Sequence, residues 1–201
     1  AQEPVLRGVG AAALIAKGLK ASDPDAAIKA YDSVVVHFAD APEPVLREFV
    51  AKALVSKALV FETVNDDASA TAAYDDVIGR FGDAKEAAIK EQVARALLGK
   101  ARNFGKLGDN AGAIAAFDNV AAHFADADEP TLRNFVARAL LGKGLVSGTT
   151  GNHAAAIAAL ESVVDRFGDA QEPPLARVVA QALVAKALVS GATGDLTAAL
   201  A

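Results

Sequence analysis

Apolar residues follow a helical period along almost the whole chain, in two alternating patterns. In the first pattern, apolar positions recur three or four residues apart and leave few polar sides, as at Leu46, Val50 and Leu54. In the second pattern, one apolar stripe faces a charged side, as in residues 24–38. The alternation predicts pairs of helices, in which an inner helix A is apolar nearly all round and an outer helix B buries one face.

Two short landmarks recur along the chain in phase with each other. The string Glu-Pro-x-Leu-Arg or a relative of it begins at residues 3, 43, 86, 129 and 172. Phenylalanine followed by Ala or Gly, Asp and Ala begins at residues 38, 81, 124 and 167. The spacing is 43 residues except for a first spacing of 40. We therefore expect a single repeat array over residues 1–201, with units 3–42, 43–85, 86–128 and 129–171 and a partial unit 172–201.

Capping residues stand at the ends of the predicted helices. Proline at the start of helix A occupies a first helical position, where its missing N–H would be unpaired anyway. The predicted left-handed residues that end helix A are Asn65, Gly108, Gly151 and Gly194. The predicted N-caps of helix B are Asp23, Asp66, Asp109 and Asn152. The first unit is shorter by three residues, which we expect to be missing from its turn.

Because the A helices are apolar on nearly all sides, they must be inner elements. The fold class predicted from the pattern is all-α, an α-α solenoid whose A helices form the concave layer and whose units bury their cores only by stacking. Small, glycine, alanine and aromatic positions then recur with tetratricopeptide-like spacing, at Ala101, Gly108, Ala113, Phe117 and Val120. The chain thus resembles tetratricopeptide repeat proteins, and its long opening and ending strings resemble their 42-residue bacterial variant. The resemblance implies a right-handed superhelix that binds peptides or proteins and has no catalytic activity.

Composition narrows the class of protein further. The 201 residues are 53% hydrophobic and 22% charged, which is far from a disordered composition. A net charge of −5 argues against a nucleic-acid partner or a basic membrane-binding patch. The apolar run at residues 9–16 is too short to cross a bilayer. We expect a soluble protein, with the cytoplasm favoured, that binds neither nucleic acid nor membrane.

Candidate catalytic chemistry is sparse. The chain has no cysteine, which excludes thiolate metal sites and cysteine nucleophiles. The glycine-rich stretch at residues 144–151 lacks the Gly-Lys-Ser/Thr ending of a phosphate-binding loop and aligns with helix A. His37 and His123 alternate with arginines at one position of helix B, which indicates solvated side chains and not metal ligands. We expect no enzyme activity, no cofactor and no metal.

A lysine recurs in every A helix, at Lys17, Lys57, Lys100, Lys143 and Lys186. Each of the first four precedes an acid in the following B helix, and these acids are Asp32, Asp75, Asp118 and Glu161. One hypothesis is an ion pair within each unit, with no acid left for Lys186. The alternative is a lysine that extends over apolar surface to solvent.

The tetratricopeptide register predicts an apolar groove along the A helices, bordered by basic residues. The third unit replaces apolar residues by polar and cationic ones, which suit a carboxylate such as a peptide C-terminus. The predicted concave-face binding residues are Lys52, Gln92, Arg95, Leu98, Arg102, Asn103, Phe135, Arg138, Leu141 and Leu145. The alternative is ordinary divergence of one repeat, in which Arg102 pairs with Glu91.

The last A helix is as apolar as the interior ones, although little chain follows to cover it. An exposed apolar patch of this kind predicts association, as in a homo-oligomer. The predicted association end consists of Val178, Val179, Leu183, Val184, Leu188 and Val189.

The leading prediction is a non-enzymatic scaffold that binds a peptide or protein segment in the concave groove. Two alternatives stay open. One is an engineered or excised repeat array with a structural role. The other is a carrier of a small apolar ligand, enclosed by Val9, Phe49, Phe135 and Val178.

Overall fold

The computed structural model describes residues 3–192, with the side chains of residues 5–192. Within that range the chain forms nine α-helices and no strand. The A helices are α1 (Glu3–Lys20), α3 (Pro44–Thr63), α5 (Ala87–Lys106), α7 (Pro130–Thr149) and α9 (Pro173–Ala192). The B helices are α2 (Pro24–Phe38), α4 (Asp67–Phe81), α6 (Asn110–His123) and α8 (His153–Phe167). The predicted all-α class is confirmed.

Residues Ala1–Lys100 and Ala101–Ala201 form two compact units. Within residues 1–100, α3 packs against α1, α2 and α4, and α1 packs against α2. Within residues 101–201, α7 packs against α6, α8 and α9, and α8 packs against α9. An interior A helix therefore contacts the B helices before and after it as well as a neighbouring A helix, which is the packing of a helical repeat.

All four predicted N-caps of the B helices are confirmed. The side-chain oxygen of each accepts a hydrogen bond from a backbone N–H in the first helical turn, at 3.1 Å for Asp23, 3.0 Å for Asp66, 2.8 Å for Asp109 and 3.1 Å for Asn152. These bonds satisfy N–H groups that have no partner inside the helix. Glu43 and Glu129 occupy the N-cap position of A helices, but neither side chain makes a capping hydrogen bond.

The left-handed ends of the A helices are also confirmed at the three positions that lie within the described residues. Asn65, Gly108 and Gly151 have φ values of 59°, 80° and 81°. The following residue then donates its N–H back to the last turn, as Asp66 does to the carbonyl oxygen of Phe61 at 2.9 Å. Gly194 lies outside the described residues.

The three residues missing from the first unit shorten a helix, so the prediction that they shorten the turn is wrong. Helix α1 ends at Lys20, three residues after Lys17, whereas α3 ends at Thr63, six residues after Lys57. The connection that follows has three residues in both units, 21–23 and 64–66. Three residues are close to one α-helical turn, so their removal keeps the length of the connection, but residues 21–23 contain no left-handed residue like Asn65.

Aromatic side chains of the B helices pack against glycines of the A helices. A Cβ atom at Gly99 would lie 2.3 Å from Cζ of Tyr74, and one at Gly142 would lie 2.5 Å from Cζ of Phe117. Both aromatic residues belong to the B helix that precedes the glycine in the chain. Because no side chain stands at the contact, the aromatic ring approaches the helix backbone directly and fills the core between consecutive units.

Candidate interaction surface

The recurring lysines form ion pairs, but with the acid of the preceding B helix and not of the following one. The Nζ to Oδ1 distances are 2.5 Å from Lys57 to Asp32 and 2.7 Å from Lys143 to Asp118. Lys100 makes the same contact, at 2.6 Å from Asp75. The predicted pairing within each unit is therefore wrong by one repeat. Each acid directly follows the aromatic residue that packs on the next A helix, as Asp75 follows Tyr74. This position brings the carboxylate close to the lysine of that helix.

The first and last lysines of the series also differ from the prediction, because each lysine pairs with the B helix before it. Lys186, which was expected to lack an acid, lies 3.2 Å from Oε1 of Glu161 in α8. Lys17 precedes all the B helices, is exposed, and has no acid within 4 Å among the described residues. The ion pairs thus hold consecutive units together, and Lys17 lies before the first of the described B helices.

A second series of contacts explains the Glu-Pro-x-Leu-Arg string, which the sequence analysis used only as a landmark. Arg7 pairs with Glu43 at 2.6 Å, and its guanidinium carbon lies 5.9 Å from the ring centre of Phe38. Arg133 repeats the arrangement with Glu172 at 3.3 Å and with the ring of Phe167. Each arginine therefore joins the end of its own B helix to the start of the next A helix.

Three groups among the described residues, Asp66, Tyr31 and Glu86, have shifted pKa values, and hydrogen bonds with Ser69 lower the pKa of the N-cap Asp66. A hydrogen bond from its own backbone N–H is the main cause that lowers the pKa of Glu86, with a smaller contribution from Arg47, its ion-pair partner. Burial raises the pKa of Tyr31, against a hydrogen bond with Ser56 that lowers it. Tyr31 lines an open pocket of about 350 Å³ with Ser56 of the next A helix, and Glu86 lies at the contact between units with Arg47.

Each interior A helix exposes one narrow stripe, whose residues are seven apart and so share a face. On α3 the exposed stripe is Val45, Lys52 and Leu59. On α7 it is Thr131, Arg138 and Leu145. On α5 the exposed stripe includes Arg95 and Arg102. We call these positions the A-helix stripes.

The predicted concave-face residues divide between this exposed set and the core. Exposed are Lys52, Arg95, Arg102, Arg138 and Leu145. Buried are Leu98, Asn103, Phe135 and Leu141, and Gln92 is half-buried. The buried side chains pack between helices, and of these Leu141 also lines an open groove. A sequence register places a residue on a helix, but neighbouring helices decide whether it stays accessible.

Two of the exposed arginines are held by neighbours on their own helices. Arg95 pairs with Glu91 at 2.5 Å across one turn of α5. The guanidinium carbon of Arg138 lies 5.7 Å from the ring centre of Phe135. Both contacts orient the guanidinium while leaving it at the surface, where its donors suit a carboxylate.

The predicted association end is partly buried. Val178 and Val179 lie in the core and Val189 is half-buried, whereas Leu183, Val184 and Leu188 are exposed. Between α7 and α9 lies an open apolar groove of about 490 Å³. Its lining residues are Leu141, Leu145, Arg177, Ala180, Gln181, Val184, Ala185 and Leu188.

Arg177 and Ala180 were not among the predicted site residues. Ala180 stands at a repeat position that is alanine in all five A helices, at Ala11, Ala51, Ala94, Ala137 and Ala180. The signal for it was therefore present in the sequence as an invariant small residue. Arg177 follows Ala176, which replaces the arginine of the opening string, and no repeat pattern marks it.

The residues considered as an enclosure for an apolar ligand are dispersed. Val9 is exposed, Phe49 is half-buried, and Phe135 and Val178 are buried in the core. His37 and His123 are exposed, and within residues 3–192 no group of His, Asp or Glu has the arrangement of a metal site. Of the described helices, α9 alone is long and apolar enough to cross a bilayer by length and composition, a property that core helices of repeat arrays share.

Comparison with known proteins supports the interpretation of the repeat. The family model described as Tetratricopeptide repeat matches residues 95–127, from the middle of α5 to the end of unit three. No curated protein matches the chain. Tetratricopeptide repeat proteins are generally non-enzymatic scaffolds for protein interaction. The helix pairs and their packing form an all-α helical repeat fold, and residues 95–127 are similar to a tetratricopeptide repeat.

Proposed function

We propose that this chain is a scaffold that binds an extended peptide or protein segment along the A-helix stripes. It recognises ligand segments in which an acidic residue lies near an apolar one. The observation that supports this proposal most strongly is the composition of the stripes. A basic residue stands at the same repeat position of α3, α5 and α7, at Lys52, Arg95 and Arg138. These exposed cations belong to a chain whose net charge is −5, so they are a local exception to its acidic character.

The stripes also carry exposed apolar side chains beside the cations. Leu59 lies seven residues after Lys52, and Leu145 lies seven residues after Arg138. Seven residues of α-helix rise by about 10 Å. An extended peptide covers that distance in about three residues. A ligand that lies along a stripe would therefore present an apolar and an acidic residue three positions apart.

The chemistry of recognition follows from the two kinds of side chain. The arginine and lysine donors form charge-assisted hydrogen bonds with a carboxylate. The exposed leucines bury an apolar side chain of the ligand. Neither interaction needs a nucleophile, a metal or a cofactor, which fits a binding role.

The experiment starts from selection of peptides in a displayed random library against the immobilised full chain. We expect enrichment of sequences with Asp or Glu three positions from Leu, Ile or Phe. Fluorescence anisotropy then gives the dissociation constant of an enriched peptide. We expect Arg138→Ala to weaken binding roughly tenfold, since a hydrogen bond to a charged group contributes about 1.5–3 kcal/mol. Leu145→Ala is expected to weaken it less.

Matched controls lie on the outer B helix α2. Lys29 is an exposed cation and Val36 is an exposed apolar residue, so Lys29→Ala and Val36→Ala remove the same types of side chain away from the stripes. Both are expected to leave the dissociation constant unchanged. Enriched peptides that lack acidic residues, or whose affinity survives Arg138→Ala, would contradict the proposal.

A further inference from the structure

The two ends of the described chain expose opposite halves of one and the same contact. Every A helix carries an apolar residue at the fourth position of the Glu-Pro-x-Leu-Arg string. Its exposure is 0% for Leu46, 0% for Ile89, 2% for Leu132 and 1% for Leu175, but 69% for Leu6. Leu6 therefore presents a side chain that the other four units bury.

In the interior of the chain this side chain is buried by the preceding unit. Leu46 forms a core cluster with Ala11 of α1 and Ala41, and Phe38 packs against that cluster. The alanine is the receiving surface of the contact. It is fully buried in the four earlier A helices, at Ala11, Ala51, Ala94 and Ala137.

The last A helix leaves that receiving surface open. Ala180, the fifth alanine of the series, is exposed and lines the groove between α7 and α9. Val184 lines the same groove and is 62% exposed, whereas its counterparts Ile15, Val55, Leu98 and Leu141 are at most 9% exposed. The groove thus lies on the A helix at the position where, in α1 and α7, the next A helix packs.

We propose that the occupant of this groove is helix α1 of a second copy of the chain, with Leu6 seated against Ala180. The contact repeats the A-helix part of the one that joins consecutive units, in which Leu46 packs on Ala11, and this is why we assign it to a copy and not to an unrelated partner. The counterparts of Ala41 and Phe38 lie outside the described residues. Val5 and Val9, both exposed beside Leu6, lie along the same helix and extend the apolar surface.

A contact of this kind is heterologous, because one copy contributes its first helix and the other its last. Each copy keeps one unused end of each type, so the association repeats from copy to copy and grows with concentration. The groove shares Leu145 with the stripe of α7 but contains no stripe residue of α3 or α5.

Complementation between two variants tests the proposal with the full chain. Leu6→Glu disables the first helix and Ala180→Glu disables the groove, and both substitutions are at exposed positions. We expect the wild-type chain to associate in sedimentation velocity as concentration rises. Each variant alone is expected to lose that association by roughly 10- to 100-fold in the association constant, because an apolar contact is replaced by a charge. A mixture of the two is expected to form a dimer and nothing larger.

Three outcomes would overturn the proposal. A wild-type chain that stays monomeric across the concentration range excludes the contact. Association that persists in Leu6→Glu indicates an α9 to α9 contact, and a mixture that stays monomeric excludes the pairing of the two ends. Val9→Lys and Val184→Lys serve as a second pair if circular dichroism shows that either first variant is misfolded.

A control separates this proposal from the proposed function. Lys52→Ala alters an A-helix stripe and is expected to weaken peptide binding while leaving association unchanged. Leu6→Glu is expected to weaken association while leaving peptide binding unchanged.

Discussion

Helices α1 and α3 carry the same string of residues, yet they bury different parts of it. Leu46 of α3 is fully buried against Ala11, whereas Leu6 of α1 is 69% exposed. Lys57 of α3 pairs with Asp32 of the helix before it, whereas Lys17 of α1 is exposed. In both comparisons the residue type and its position in the A helix are the same. The difference is that α3 has a described unit before it and α1 does not.

The difference shows that each unit completes the core of its neighbour. A repeat of this type cannot bury its apolar face by itself, so burial depends on what stacks against it. The surfaces to which we assign partners are exposed among the described residues: α1 near Leu6, the groove at α9 and the A-helix stripes.

The largest expected effect comes from truncating the two matched leucines. Leu46→Ala is expected to lower the free energy of unfolding by about 2–5 kcal/mol, because it leaves a cavity in the core. Leu6→Ala is expected to change it by no more than about 0.5 kcal/mol in dilute solution, since the side chain is exposed. Urea denaturation of both variants measures the difference. Equal losses would show that α1 is covered in the same way as α3.

A smaller effect is expected where an aromatic ring meets a glycine. Gly142→Ala places a Cβ atom 2.5 Å from Phe117, which should cost about 1–3 kcal/mol in strain. Gly10 of α1 has no atom within 4 Å of such a Cβ, so Gly10→Ala should stabilise the helix by about 0.5–1 kcal/mol.

The next unit offers a rescue for the Gly142 variant. There, alanine and leucine, Ala185 and Leu160, stand at the positions of Gly142 and Phe117. The double variant Gly142→Ala with Phe117→Leu is therefore expected to recover part of the lost stability in thermal denaturation. A double variant that adds the two losses would contradict direct contact between these positions.

The ion pairs between units should contribute less. A double-mutant cycle on Lys57 and Asp32 is expected to give a coupling energy of about 0.2–1 kcal/mol, because both side chains are partly exposed. The matched cycle on Lys57 and Asp75 should give none, since Asp75 pairs with Lys100. A coupling energy between Lys57 and Asp75, with none between Lys57 and Asp32, would support ion pairs within each unit and contradict ion pairs between units.

The smallest expected effect is the pH dependence at Glu86. The folded pKa of this carboxyl lies below its ordinary value of 4.5, so the unfolded chain takes up the proton first as the pH falls. The stabilisation is therefore fully present above pH 4.5 and is lost as the pH falls through the folded pKa. Stability measured in urea across this range should fall less steeply in Glu86→Gln. Parallel curves for the two proteins would contradict the assignment.

Local signals predicted the helices and their ends. Asp66 and Gly108 act through backbone groups within a few residues, so their roles follow from the sequence alone. The ion-pair partner of Lys57 could not be predicted from the sequence. Every B helix carries an acid at the same repeat position, so the sequence does not show whether the lysine pairs with the B helix before it or after it. The accessibility of Leu98 and Asn103 likewise depends on the helices that pack over them.

The central claim is that the A-helix stripes, and not the outer helices, contact the ligand. Methyl NMR spectroscopy tests it without altering the protein, by titration with a peptide enriched from the displayed library. We predict that the methyl signals of Leu59 or Leu145 shift on addition of the peptide, while those of Val36 on α2 stay in place. Shifts at Val36 with unchanged leucine signals would contradict the claim.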